Sequence, residues 1–314
     1  MLAVLPVWLR AVLSILLLVI NTVVCGAAVI LLVPFKWIIS QRGWRKFWTK
    51  LMISIGSLYI LNNKGILKLV HRTSWNISGI EDLHLDRQYL VLANHQSAVD
   101  IPVLQGVFLG HIPFLRFFIK QQLIWVPFLG LALWALDMPV MKRYTKKKLK
   151  QRPDLRTHDL ERTQIACERL RDQPLTLLNF AEGTRYSSKK HREQNPPFQL
   201  LLRPKSGGVH AVLSALGDQL DSILDVTIVY PGLISPTLGD MAFGKVPCIQ
   251  VQVDRLQIGM NGVPTLEVIR GRKGQLAIRE WMNERWILKD SLLSEIQQDS
   301  LSELPLGRNP TATV

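Results

Sequence analysis

The chain has 314 residues, 48% of them hydrophobic, and a formal net charge of +14. That length allows one large domain or two small ones with a sizeable core. Cys25, Cys167 and Cys248 are few, odd in number and far apart, which argues against a disulfide framework and a zinc knuckle and makes reduced surroundings the expectation.

The charge is unevenly placed. Residues 1–80 hold nine Lys and Arg and no Asp or Glu. Most of the excess therefore lies beside the most apolar part of the chain, which points to an anionic membrane surface rather than nucleic acid. Neither RNP-like aromatics nor zinc-finger spacing is present.

Ala11 to Phe35 is 25 residues without a charge, long enough as a helix to span a hydrocarbon core of about 30 Å. A cleaved signal peptide is the competing reading, but the run exceeds a usual h-region and no A-x-A site follows. Lys36, Arg42, Arg45, Lys46 and Lys50 follow it, so the positive-inside rule leaves the rest of the chain in the cytoplasm. Gly26 and Pro34 could bend the segment into a monotopic anchor instead. Next, Trp44, Phe47, Trp48, Leu51, Met52, Ile55, Leu58 and Tyr59 fall on one helical stripe, with Arg45, Lys46 and Lys50 off it. Such a helix either packs on the soluble part or lies in the membrane interface; the neighbouring apolar segment favours the interface.

From about Trp75 acidic residues appear and apolar runs shorten. Leu90–Ala93, Leu175–Phe180 and Asp225–Tyr230 read as buried strands, the last stopped by Pro231-Gly232. A helical stretch follows Pro102, a charged helix carries Leu160, Thr163, Cys167 and Leu170 on one face, and Gln275–Gln297 forms a final helix. The expectation is an α/β fold: a mixed, mainly parallel sheet flanked by helices, behind a transmembrane or monotopic helix and an interfacial amphipathic helix.

In VLANHQSAVD, His95 stands five residues before Asp100 at the end of the first strand. H-x-x-x-x-D alone is a weak signal. A strand end at the mouth of a sheet strengthens it, since Asp100 could return against one ring nitrogen and leave the other free to take a proton. Otherwise Asp100 simply caps the next helix. There is no GxSxG elbow, so a substrate hydroxyl or a water would be the nucleophile. Phe180–Arg185 reads FAEGTR: Gly183 allows close backbone approach, Arg185 suits a phosphate, and Glu182 could hold Arg185 or accept a substrate hydroxyl. The plainer reading is a turn with a surface ion pair. Lys142 to Arg152 is a basic run of the kind that usually forms a solvated face.

NHQSAVD and FAEGTR, in this order and about 87 residues apart, resemble the first and third motifs of the PlsC-type glycerolipid acyltransferases. Phe118 to Tyr144 resembles the second block, with Lys120, Pro127, Gly130 and Arg143 in its recurring places. FQLLLRPKSGG and DVTIVYPG resemble the branch with microsomal lysophosphatidate and lysocardiolipin acyltransferases, and the second-block wording is similar to bacterial inner-membrane members. The resemblance implies His95 as general base and Asp100 as its orienting partner, with Glu182, Gly183, Thr184, Arg185 and Arg143 binding the glycerophosphate. It implies an acyl thioester donor (acyl-CoA or acyl carrier protein), a lysophospholipid acceptor, no metal and no bound cofactor. Ala181 and Thr227 depart from family prolines, and Lys142 from a frequent aspartate. The expected divisions are an anchor and interfacial helix at 1–75, the acyltransferase domain at 76–298 and a flexible tail at 299–314. A water-activating lipid or thioester hydrolase and a non-catalytic lipid-binding protein are the alternatives.

Overall fold

The computed structural model describes residues 5–141 and 174–302. Arg143, the basic run and the charged helix at 160–170 lie outside the described residues.

The chain opens with a helical hairpin, α1 (Val7–Ile38) and α2 (Arg42–Val70). The apolar stripe of α2 divides between two environments. Met52 is buried with Val29 of α1, whereas Phe47, Leu51 and Leu58 are exposed. One part of the stripe thus packs inside the protein and another part stays exposed. A polar knot joins the pair inside its apolar surface: Asn21 Nδ2 donates to Tyr59 O (2.9 Å) and to Asn63 Oδ1 (2.8 Å), and Asn62 Nδ2 donates to Asn21 Oδ1 (3.0 Å). Slipping one helix would leave the buried Asn21 amide unpaired, so these bonds fix the register.

A six-stranded sheet has the order β1-β8-β7-β2-β6-β3. Its strands are β1 (Ser74–Ser78), β2 (Tyr89–Ala93), β3 (Leu115–Phe117), β6 (Thr176–Phe180), β7 (Ser222–Val229) and β8 (Cys248–Leu256). Four pairings are parallel and β7–β8 is antiparallel, the mixed, mainly parallel sheet expected. A separate parallel pair joins β4 (Ile119–Lys120) and β5 (Val140–Met141). β1 straddles position 75, so the start of the sheet overlaps the end of the segment assigned to the anchor.

Both faces of the sheet are covered, which is why its central strands are mainly apolar and β2 is wholly so. On β2, Tyr89, Val91 and Ala93 face α3 (Asp100–Phe108), with its Val103, Leu104 and Val107. Leu90 and Leu92 face the other way, toward α6 (Ser206–Leu216) and the long α9 (Gly274–Ser302), with its Trp281 and Trp286. Trp286 is fully buried, and truncating such a side chain typically costs about 3–5 kcal/mol. Short helices α4 (Leu129–Ala135), α5 (Ser188–Gln194), α7 (Leu238–Ala242) and α8 (Leu266–Arg270) complete the described fold.

The α1 helix is tied to the sheet domain along its length. Ser14 Oγ donates to Ala242 O of α7 at 3.3 Å. At Gly26 an added Cβ would lie 3.0 Å from Phe128 Cβ, so glycine permits the crossing. Near the carboxyl end, buried Lys36 donates to Ala135 O (3.0 Å) and pairs with Asp137 (2.9 Å). Asp137 has φ 59°, the left-handed turn that often follows a helix.

Candidate active site

The site forms where β2, β6 and β7 end side by side. Ala93 is level with Phe180 on one neighbour and with Val226 on the other. Just past Ala93, the Asn94 amide continues the β2–β7 ladder by donating to Ile228 O (2.9 Å) and accepting from Ile228 N (2.8 Å). His95 therefore leaves the sheet from a fixed point.

The chain then turns into α3, whose first residue is Asp100. Asp100 is fully buried, and its Oδ2 lies 2.8 Å from His95 Nδ1 and accepts Ser97 N at 2.8 Å. The carboxylate does not cap α3, whose N-cap is Val99 with no side-chain cap bond; it closes the preceding turn and faces the imidazole at once. Ser97 Oγ accepts Val99 N (2.9 Å) and donates to Pro236 O, so this serine holds the turn. The imidazole stacks on the Phe180 ring, centroids 3.9 Å apart and planes 14° off parallel. The His95 side chain is 14% exposed, and its Nε2 has no partner among the described residues, so that nitrogen is the one open to a substrate.

The FAEGTR turn closes the other side. Glu182 is buried, and its two oxygens accept the backbone amides of His95 (3.0 Å) and Leu202 (3.2 Å). It thus neither holds Arg185 nor faces solvent for a substrate hydroxyl; it braces the His95 loop from behind. Burial pushes its carboxyl up to about 8, against the opposing pull of those two amides. Gly183 has φ +68°, and a Cβ there would meet Lys205 Nζ at 3.0 Å, so glycine both makes the turn and admits Lys205 beside it. Thr184 Oγ1 accepts Lys190 Nζ at 2.8 Å, which also donates to Arg185 O. The Arg185 side chain is exposed, with no partner among the described residues. His95, Asp100, Glu182, Gly183, Thr184 and Arg185 therefore share one site; Arg143 lies outside the described residues.

Sequence reasoning missed the supports of this site. Tyr230 is fully buried and donates through its hydroxyl to Asp100 Oδ1 at 2.7 Å. Lys190 and Lys205 add positive charge around the turn. Tyr230 and Lys205 lie in DVTIVYPG and FQLLLRPKSGG, so the signal was present without a role attached. The α9 helix reaches the site from below. Asp290 accepts the amides of Gln199 (2.7 Å) and Leu200 (2.8 Å), and Gln297 Nε2 donates to Tyr230 O (3.0 Å). Lys289 lies 2.7 Å from Asp225 Oδ1, and Arg285 bridges Asp225 and Asp254. Removing one partner of such a buried pair typically costs about 3–5 kcal/mol.

Chemically, the arrangement is able to take a proton at Nε2, and the turn beside it carries cationic groups that suit an anion. The acyltransferase family model matches residues 74–231, half of the chain. The chain belongs to the acyltransferase family, in keeping with its PlsC-type resemblance. It is similar to the 1-acyl-sn-glycerol-3-phosphate acyltransferase epsilon of Mus musculus, 26% identical over 70% of this chain and 62% of that protein. Lysocardiolipin acyltransferase 1 of Danio rerio is 27% identical over 67% of this chain and 52% of its own length. The chain thus spans a little over half the length of these curated relatives. Among solved structures, the 1-acyl-sn-glycerophosphate acyltransferase PlsC of Thermotoga maritima superposes with a TM-score of 0.48 and 17% identity, covering 96% of this chain and 98% of that one.

Proposed function

We propose that the protein is a membrane-bound lysophospholipid acyltransferase acting on 1-acylglycerol 3-phosphate or a related lysophospholipid, with acyl-CoA or acyl carrier protein as donor. The observation that carries this reading is the His95 Nδ1–Asp100 Oδ2 contact with Nε2 left open beside the FAEGTR turn. His95 Nε2 takes the proton of the glycerol hydroxyl as its oxygen attacks the thioester carbonyl. The tetrahedral adduct collapses, the C–S bond breaks, and the imidazolium can return its proton to the departing thiolate. Asp100 fixes the tautomer and stabilises the imidazolium. Arg185, with Lys190 and Lys205 nearby, supplies charge for the phosphate, and Thr184 and Gly183 shape the turn that receives it. Arg143 joins this set by family resemblance. General-base help is worth about 10²–10⁴ in rate, and positioning adds several kcal/mol.

The membrane is met by the hairpin in a monotopic arrangement. Contacts at Ser14, Gly26 and Lys36 tie α1 to the sheet domain over 22 residues, about 33 Å of helix. A perpendicular span of that length would carry α4 and α7 into the hydrocarbon with it. An α1 lying along one leaflet leaves Trp8, Val12 and Leu16 exposed to lipid, with Trp125 of the 3₁₀ turn at 121–125 and Leu131 of α4 also exposed. The anionic leaflet, the second partner, faces the basic hairpin, with the catalytic domain in the cytoplasm.

Purified protein, labelled acyl-CoA and lysophosphatidate test the reaction. Phosphatidate is expected, with His95→Ala reducing kcat at least a hundredfold. Formation at an equal rate by the variant would remove His95 from the mechanism, and free fatty acid as sole product would favour the hydrolase.

A further inference from the structure

Tyr230 is a buried titratable side chain to which the His–Asp chemistry assigns nothing. It follows β7, whose register with β2 brings residue 230 across to α3. The Asp100 carboxylate is divided between two sides. Its Oδ2 meets His95 Nδ1 and Ser97 N, while its Oδ1 accepts the Tyr230 hydroxyl at 2.7 Å. Burial first, then the charge of Asp100, hold the Tyr230 phenol well above its usual range, so it remains a proton donor.

We infer that Tyr230 is a positioning residue of the acyl-transfer site: its hydroxyl fixes the rotation of the Asp100 carboxylate, and with it the His95 ring, and draws off part of the carboxylate's charge. This rests on the reading of His95 as general base. Without the hydroxyl, Oδ1 is a fully buried carboxylate oxygen with one donor fewer. Its charge then acts more strongly on the imidazolium, and His95 holds its proton to higher pH.

Other groups around the dyad do not share this position. After β6, the Glu182 carboxyl accepts the His95 backbone amide and the Tyr186 backbone amide donates to the His95 carbonyl. Lys289 of α9 acts on Glu182, and Arg185 lies on the solvent side. Among the described residues, Tyr230 is the side-chain donor on Asp100 Oδ1. The backbone around it is held separately: Gln297 Nε2 donates to Tyr230 O, and Gly232 N donates to Gln297 Oε1 at 2.9 Å. Tyr230→Phe therefore removes the hydroxyl while leaving the ring and these backbone bonds in place.

The experiment uses the full chain in lipid vesicles, with carbon-13-labelled histidine and acyl-CoA plus lysophosphatidate as substrates. The His95 signal, assigned by its loss in His95→Ala, is titrated by NMR, and kcat/KM is followed against pH. Tyr230→Phe is expected to raise both the His95 midpoint and the acidic limb of kcat/KM by about half to one pH unit. Its activity should be several-fold low below that limb and approach the original rate above it. An unmoved midpoint and limb, with or without a uniform fall in kcat, would overturn the inference, because a purely structural role lowers activity at every pH. If acyl transfer does not depend on His95, the general-base reading fails, while the NMR midpoint still decides whether Tyr230 tunes the imidazole.

Discussion

Glu182 carries its carboxylate beneath the His95 loop, with both oxygens on backbone amides. Its proton is held to about pH 8 when folded and to about 4.5 when exposed, so between those values the folded chain binds the extra proton. Stability from this group is therefore fully present below pH 4.5 and lost as pH rises through 8, a change on the order of 5 kcal/mol. Glu182→Gln removes that titration, but its amide group faces a backbone N–H and cannot accept it. The stability advantage of the native protein over this variant, read from Tm between pH 5 and pH 9, is expected to shrink as pH rises, and kcat of the variant to fall about tenfold. A constant difference in Tm would mean that Glu182 does not titrate in this range. At this scale His95, Asp100 and the FAEGTR turn were legible because each motif is contiguous. Tyr230 was not, because its contact with Asp100 spans 130 residues and exists only once β7 lies beside β2.

Among the elements, β2, β6 and β7 could be read from sequence because burial on both faces makes them predominantly apolar. β8 alternates, with Ile249, Val251 and Val253 inward and more polar residues between them; this period-two signal was present and not taken up. β3 has three residues and includes a buried arginine, too little pattern for any rule. The apolar segment from Phe114 to Trp134 divides in two. Leu115, Phe117 and Ile119 are core, whereas Trp125, Leu131 and Trp134 are exposed. A shallow, mainly apolar cleft lies between α2 and α3, lined by Ile60, Leu67, Trp75, Val103 and Met241. Because α3 begins at Asp100, a chain seated there would lie beside the reacting centre. Val103→Trp is expected to lower activity with long-chain donors more than with short-chain donors; an equal fall would place the acyl chain elsewhere.

For the whole molecule, the long apolar helix was plain in the sequence, but its attachment was not, because hydropathy reports length and composition rather than what a helix leans on. The monotopic arrangement predicts that both ends of α1 lie on one side of the bilayer. In a cysteine-free background, single cysteines at Pro6 and at Gln41, which flank α1, should both react with an impermeant maleimide in vesicles exposing the catalytic domain. Protection of position 6 alone would restore the full span. The α9 helix sets a different property of the molecule. Through Lys289, Asp290 and Gln297 it holds β7, the 199–200 segment and the backbone of Tyr230 at once. Its unwinding would release each of these supports together. The catalytic loops therefore have little scope to melt as a local unit ahead of the sheet, and denaturant should extinguish turnover in the same cooperative step that exposes Trp281 and Trp286.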